Sequence, residues 1–300
     1  MIDGFYTSPP THQRLTQAIQ HLQERYKRCK VFPIGCTALG RKIHALCIGN
    51  PMGATLFVGA THGLEWMTTL LLIRFCEDVL EGLRTGGSVS DIDVTKALQN
   101  RSLVIIPCLN PDGVEIALCG SAAAGERAAE VERICGGDCR AWQANANGVD
   151  LNHNFDAGWC ALKRMEVESG IDAPAPTRYG GTHPNSEPET MAATAFCINY
   201  QPRTLYSLHS QGEEIYYKYG EHTPERSQLM ARILASSSGY TVTEPTGLAS
   251  HGGLKDWFIE KFRRPGFTIE VGRGKNPLGI EQFEKIYKKI QEMLIIATLL

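Results

Sequence analysis

Two kinds of apolar stretch alternate along the chain. The short kind, Ala54-Thr-Leu-Phe-Val-Gly-Ala60, Arg101-Ser-Leu-Val-Ile-Ile-Pro107, Thr204-Leu-Tyr-Ser-Leu-His209 and Gly266-Phe-Thr-Ile-Glu-Val-Gly272, is rich in β-branched and aromatic residues. Such runs, bounded by turn residues, read as strands buried on both faces. The long kind repeats with helical period. Residues 12–30 put Leu15, Ala18, Ile19, Leu22 and Tyr26 on one face. Trp66 to about Leu83 reads as a buried helix, and residues 224–238 as a further one. A capping box of Ser186 with Glu189, and Pro188 in the first turn, predicts a helix to about Tyr200. A Gly-led helix from His251 to Phe262 and a closing helix from Gly279 to Leu300 follow.

The remaining segments fill in around these. Lys30–Thr37 and Lys42–Gly49 predict a hairpin with a Leu39-Gly40 turn. Glu213–Lys218 reads as a short strand and Tyr240–Thr243 as an edge strand. Arg84–Asp93 reads as a Gly/Ser-rich surface loop, and Cys108-Leu-Asn-Pro-Asp-Gly113 as a turn. From Ala117 to Pro184 there is little periodicity, and structureless stretches of that length inside a domain are usually functional. Strands alternating with helices predict an α/β fold with a mixed, mainly parallel sheet. Its 300 residues fit one domain, with residues 1–30 as a helical lead-in.

Composition narrows the classes. An apolar fraction of 43% and a charged fraction of 21% are those of an ordinary soluble globular protein. A net charge of −2 with no basic stripe argues against nucleic-acid binding, the cluster Lys285-Ile-Tyr-Lys-Lys289 reading as a solvated helix face. No apolar run has the length of a membrane span. The stretch Met1–Pro10 has neither the basic nor the apolar region of a secretory signal, so the ten cysteines are expected as reduced thiols in a cytoplasm. Cys135-Gly-Gly-Asp-Cys139 is the one close pair and reads as loop or core thiols.

The candidate chemistry starts at Thr61-His-Gly-Leu-Glu-Trp66. His-x-x-Glu occurs at His21/Glu24, His62/Glu65 and His222/Glu225, but only the middle pair lies between a strand and a helix. Strand exits are where open α/β sheets place ligands. His209 ends another strand, and Glu270 lies in a third, where Phe267, Ile269 and Val271 take the apolar side. Two His and one Glu are a standard catalytic zinc set that keeps a position for water. A free carboxylate nearby can take the water's proton, and Glu270 fits that role. Asn147-Gly-Val-Asp-Leu-Asn-His-Asn-Phe-Asp-Ala-Gly158 is dense in short polar groups suited to substrate or to Asx-turns.

Together these motifs resemble the zinc carboxypeptidases. Thr61-His-Gly-Leu-Glu-Trp, Leu208-His-Ser-Gln-Gly and Phe267-Thr-Ile-Glu-Val-Gly are similar to that family's metal-pair, third-ligand and base segments, in order. Leu109-Asn-Pro-Asp-Gly and the 148–158 segment match its central ones, so the resemblance spans roughly residues 30 to 295. It implies a mixed sheet of about eight strands flanked by helices, one zinc ion on His62, Glu65 and His209, and Glu270 as base. It also implies that Asn152 and His153 contact a substrate carboxylate and that Arg140 is the nearest candidate for the oxyanion arginine, with Gln143 competing for that place. His153 stands where the family usually has an arginine clamp, and an imidazole cannot form that permanently charged fork. It would act while protonated or as a neutral donor. Gly247-Leu248 occupies the place of the family's covering tyrosine.

His209-Ser-Gln-Gly-Glu-Glu-Ile-Tyr216 and Glu244–Gly253 resemble the bacterial γ-D-glutamyl-meso-diaminopimelate peptidases, which also replace the arginine. That branch implies hydrolysis of peptidoglycan stem peptides, here on released muropeptides in the cytoplasm. The alternatives are a metallocarboxypeptidase of ordinary peptides and a zinc amidoacid deacylase. No feature of the sequence bears on oligomeric state.

Overall fold

Eight strands make one sheet, which the computed structural model describes over Ile2 and residues 4–300. They are β1 (Cys29–Cys36), β2 (Lys42–Ile48), β3 (Thr55–Val58), β4 (Leu103–Ile106), β5 (Thr204–His209), β6 (Glu214–Tyr216), β7 (Thr241–Thr243) and β8 (Gly266–Glu270). Their spatial order is β1-β2-β4-β3-β5-β8-β6-β7. The centre, β4-β3-β5-β8, is parallel throughout, as expected for strands apolar on both faces. The β1/β2 hairpin is antiparallel and closes through Thr37 and Arg41, whose backbones bond at 2.9 Å.

The main helices are α1 (His12–Arg25), α2 (Met67–Thr85), α3 (Pro111–Cys119), α4 (Trp159–Glu168), α5 (Pro188–Tyr200), α6 (Arg226–Ser238), α7 (Leu254–Phe262) and α8 (Phe283–Leu299). Helices α1, α2, α6 and α8 cover one face of the sheet, and α5 and α7 the other. Successive strand residues alternate between the two cores: Phe57 belongs to the first, Leu56 and Val58 to the second. Phe75 of α2, Phe57, Tyr206 and Phe267 form a continuous aromatic ladder, with centroids 5.6, 5.0 and 5.0 Å apart. Each such contact adds about 0.5–1.5 kcal/mol beyond area burial. Because Phe267 and Ile269 face the first core, Thr268 and Glu270 must face the other way.

Several local expectations change. The first helix stops at Arg25, where Tyr26 turns extended (φ −121°, ψ 105°) and the chain enters β1. Asn110-Pro-Asp-Gly113 is the start of α3 rather than a free turn. Asn110 caps it by accepting the Gly113 N–H at 2.9 Å, and Pro111 takes the first turn. The capping box expected at Ser186 does not form. Helix α5 begins at Pro188, and Ser186 Oγ pairs with Glu187 Oε1 and Asn154 Nδ2 at 2.7 and 2.9 Å. The aperiodic region 117–184 contains helix Ala128–Cys135, α4 and several 3-10 turns. A two-residue hairpin, Ser88–Val89 with Ile92–Asp93, sits in the expected loop. Cys135 and Cys139 bring their sulfurs to 2.7 Å beside the small cluster around Trp142, and all ten cysteines are free. No helix of the described residues is long and apolar enough to cross a membrane.

Candidate active site

The chain turns sharply as it leaves β3. Ala60 has φ 44°, and its N–H donates to Thr68 Oγ1 at 2.7 Å while that hydroxyl donates to the Glu65 carbonyl at 2.8 Å. This holds residues 63–65 as a 3-10 turn running into α2. Gly63 is required by close backbone approach: a Cβ there would lie 2.3 Å from the Gly113 carbonyl oxygen and 2.8 Å from that of Trp142. The Gly63 and Leu64 N–H groups donate to the carbonyls of Gln143 and Trp142, both at 2.9 Å. Asn110 Nδ2 completes the strap, donating to the carbonyls of Thr61 and Ala144 at 3.1 Å.

Three donor atoms then converge. His62 Nδ1 lies 3.0 Å from Glu65 Oε1, His209 Nδ1 lies 3.0 Å from Glu65 Oε2, and the two Nδ1 atoms are 3.3 Å apart. The outward nitrogens are held separately. His62 Nε2 is 3.1 Å from Asp150 Oδ1 and His209 Nε2 is 3.1 Å from Ser207 Oγ. A carboxylate on Nε2 holds the proton there and leaves the Nδ1 lone pair facing inward. Glu65 and His209 are buried, and their ligand atoms and that of His62 lie within 4.8 Å of one another. A tetrahedral ion about 2.0–2.1 Å from each donor spaces them by roughly 3.3 Å. The donor set of His62, Glu65 and His209 therefore has the spacing and chemistry to hold one zinc ion.

Electrostatics divide the carboxyl groups. Burial alone would raise Glu65 and Asp150, but the adjacent histidines outweigh it and hold both well below the ordinary carboxylate range. Burial would lower His62, and Glu65 and Asp150 more than reverse that. Glu270 behaves oppositely: burial, then the negative charge of Glu65, push it well above its ordinary value. Register explains its place, since Glu270 pairs with His209 across β8/β5 and with Glu214 across β8/β6.

Two cavities open here and share Asn152, Thr246, Ala249 and Glu270. One, of about 410 Å³, is also lined by His62, Gln143, Asp150, His153, Thr177, Arg178 and Leu248. The other, of about 480 Å³, adds Glu214, Tyr216, Glu244, Lys255 and Asp256. Asn152 Oδ1 accepts the Leu254 N–H at 3.2 Å, which leaves its NH2 for a ligand. His153 is buried, with Nδ1 2.9 Å from the Arg178 carbonyl and 3.3 Å from Glu166 Oε1. A carbonyl only accepts, so Nδ1 carries the proton and a neutral His153 offers Nε2 only as an acceptor. The neutral-donor role expected for it toward a carboxylate is thus closed.

Arg140 does not join this group. Its side chain is 83% exposed and forms a two-point pair with Asp138, the closest contact being 2.7 Å. Gln143 lines the cavity instead, with Oε1 bonded to the Thr177 hydroxyl. Asp150 was not assigned from the sequence, although it lies in the polar 147–158 segment. Arg178 and the buried Lys255–Asp256 pair left no recognisable signal at all.

Comparison with known proteins agrees with this centre. The zinc carboxypeptidase family model matches residues 15–294. The chain is 33% identical over 276 residues to gamma-D-glutamyl-L-diamino acid endopeptidase 1 of Lysinibacillus sphaericus, covering 90% of this chain and 67% of that protein. Among solved structures, bovine thrombin-activatable fibrinolysis inhibitor superposes with TM-score 0.75 at 20% identity, over 99% of this chain and 97% of the other. Murein-tripeptide amidase MpaA of Escherichia coli O157 superposes with TM-score 0.54 at 22% identity, over 88% and 91%. At such identities these structures speak for the fold. The family match, joined to the two-histidine, one-glutamate centre, places the chain in the zinc carboxypeptidase family, as a zinc metallopeptidase that hydrolyses amide bonds.

Proposed function

We propose that the chain cleaves the amide between the γ-carboxyl of D-glutamate and the following diamino acid in peptidoglycan stem peptides, the γ-D-glutamyl-meso-diaminopimelate type. The carrying observation is His153. An ordinary carboxypeptidase needs a permanently charged fork at this place to grip the C-terminal carboxylate. Here the ring is buried and its Nδ1 is spent on the Arg178 carbonyl. The second cavity supports the same reading. Glu214 and Glu244 line it, carboxylates that suit the ammonium at the far end of a diamino acid, while the buried Lys255 is paired with Asp256. The relative from Lysinibacillus is named for that kind of bond.

In this reading His62, Glu65 and His209 hold the zinc, whose chemistry is to polarise the amide carbonyl and acidify a water molecule. Glu270 takes the proton of the attacking water and passes it to the departing amine nitrogen. Its register beside His209 on the neighbouring strand sets it next to the zinc ligands. Gln143, with its oxygen bonded to Thr177, keeps its NH2 for the carbonyl oxygen, the role Arg140 cannot fill from its outward pair with Asp138. Asn152 donates to a substrate carboxylate. The chain works as one domain on soluble muropeptides in the cytoplasm, which accords with ten free cysteines.

Incubation with L-Ala-γ-D-Glu-meso-diaminopimelate and with a hippuryl amino acid, followed by mass spectrometry with and without chelator, tests the reading. Chelator-sensitive release of meso-diaminopimelate with the hippuryl substrate untouched is expected. The reverse preference would make the chain an ordinary metallocarboxypeptidase.

A further inference from the structure

Resting on that reading, we infer that the guanidinium of Arg178 pairs with the free α-carboxylate that a γ-linked glutamyl residue carries on the acyl side of the scissile bond. An ordinary α-peptide bond consumes that carboxylate, so its recognition would separate γ-linked from α-linked substrates.

Apart from His62, which belongs to the donor triad, the cavity contains two residues able to present positive charge, Arg178 and His153. His153 is turned away, its Nδ1 bonded to the Arg178 carbonyl at 2.9 Å. Arg178 is exposed, and its guanidinium has no hydrogen-bond or ion-pair partner among the described residues. Its backbone, by contrast, is fixed on both sides. The Arg178 N–H donates to Asp150 Oδ2 at 2.9 Å, and the neighbouring Tyr179 carbonyl accepts the Asp150 N–H at 2.8 Å. Thr177 is bonded to Gln143. Arg178 itself sits at φ 68°, a left-handed conformation that costs a side-chain-bearing residue energy and that glycine would adopt freely. A strained arginine with a fixed backbone and a free planar fork, one residue from groups that order His62, is arranged to receive a carboxylate in two-point geometry.

The test uses two tripeptides: L-Ala-γ-D-Glu-meso-diaminopimelate, and the same compound with the glutamyl α-carboxylate converted to carboxamide. Wild-type protein is expected to favour the carboxylate in kcat/KM by about 10- to 100-fold, the range for a charge-assisted pair. Arg178→Gln keeps a side chain at the same backbone angle. It should lose that factor for the carboxylate substrate and stay within about twofold for the carboxamide, while Arg178→Lys retains part of the preference. Binding of both tripeptides to Glu270→Gln protein, with and without Arg178→Gln, should show the same difference without turnover. Equal losses for the two substrates, or no loss, overturn the role of Arg178 and leave the proposed function standing. If wild-type protein cleaves neither tripeptide, the proposed function falls and this inference with it.

Discussion

Asp150→Asn is expected to weaken zinc binding by roughly 10- to 100-fold without unfolding the protein. The wild-type carboxylate serves donors on both oxygens. Oδ1 meets His62 Nε2 and the Asn152 N–H, each at 3.1 Å, and Oδ2 meets the Arg178 N–H at 2.9 Å. An asparagine has one oxygen and one NH2, so it can serve only one side. With its oxygen toward His62, the NH2 opposes the Arg178 N–H, a buried donor–donor contact costing about 1–3 kcal/mol. Turned over, it opposes His62 Nε2–H and favours the tautomer with the proton on Nδ1, the nitrogen that must hold the metal. Either way one of the two carboxylates facing His62 loses its charge. A loss of about 1.4–2.8 kcal/mol is the same tenfold to hundredfold in affinity. Competition with a chromogenic chelator at pH 7.5 measures it directly. Thermal unfolding gives a second reading, because saturating zinc stabilises in proportion to the logarithm of its affinity. The variant's metal-free Tm should fall by the few degrees that the unpaired contact costs, and its zinc-induced rise in Tm should shrink in addition. Zinc affinity within twofold of wild type would refute the argument that Asp150 orients His62.

Three further outcomes concern packing and buried charge. Glu189 is buried with Oε1 unpartnered among the described residues, and burial pushes its pKa up to about 8. The native state then holds a proton that the unfolded chain releases near 4.5, so stability falls as pH rises from about 4.5 to 8. Glu189→Gln should flatten that slope in urea titrations at pH 5, 6.5 and 8 and stabilise by up to about 5 kcal/mol at the top of the range; parallel curves would sink the assignment. Gly63→Ala places a Cβ 2.3 Å from the Gly113 carbonyl oxygen, and both neighbours are backbone. A loss of about 3 kcal/mol in unfolding free energy, together with weakened zinc retention, is expected, and a wild-type urea midpoint would contradict it. Tyr206→Phe removes a buried hydroxyl with no partner among the described residues. It should be neutral or stabilising by about 1 kcal/mol, and a clear drop in Tm would show that the hydroxyl is satisfied.

How much of this was legible in the sequence depended on which contacts were local. The apolar runs at 54–60, 101–107, 204–209 and 266–272 announced the central strands, because a strand covered on both faces has little choice of residue. Period-two alternation placed Glu270 opposite Phe267 and Ile269 before any register was known. Other features depend on distant partners. Asn-Pro-Asp-Gly suits a turn and a helix start equally, and only Gly113 packed against the Ala144 carbonyl decides between them. Ser186 has capping-box spacing, but Asn154, far off in sequence, claims its hydroxyl. Arg140 is near the site along the chain but not in space. Trp142 is buried in its own cluster, while Asp138, two residues before Arg140, holds the guanidinium outward. Arg178 depends on a left-handed backbone angle to which arginine composition gives no clue.

The aromatic ladder beneath the sheet has a consequence for the chemistry above it. Phe57, Tyr206 and Phe267 lie side by side on β3, β5 and β8, the strands that lead to or carry His62, His209 and Glu270. The rings act as a gauge block: they set the lateral spacing of three strand ends to within the tolerance of close-packed side chains. A metal site tolerates only a fraction of an ångström of misplacement. Trimming a ring on the far face of the sheet should therefore reach zinc affinity as well as stability, although no ring touches a ligand atom.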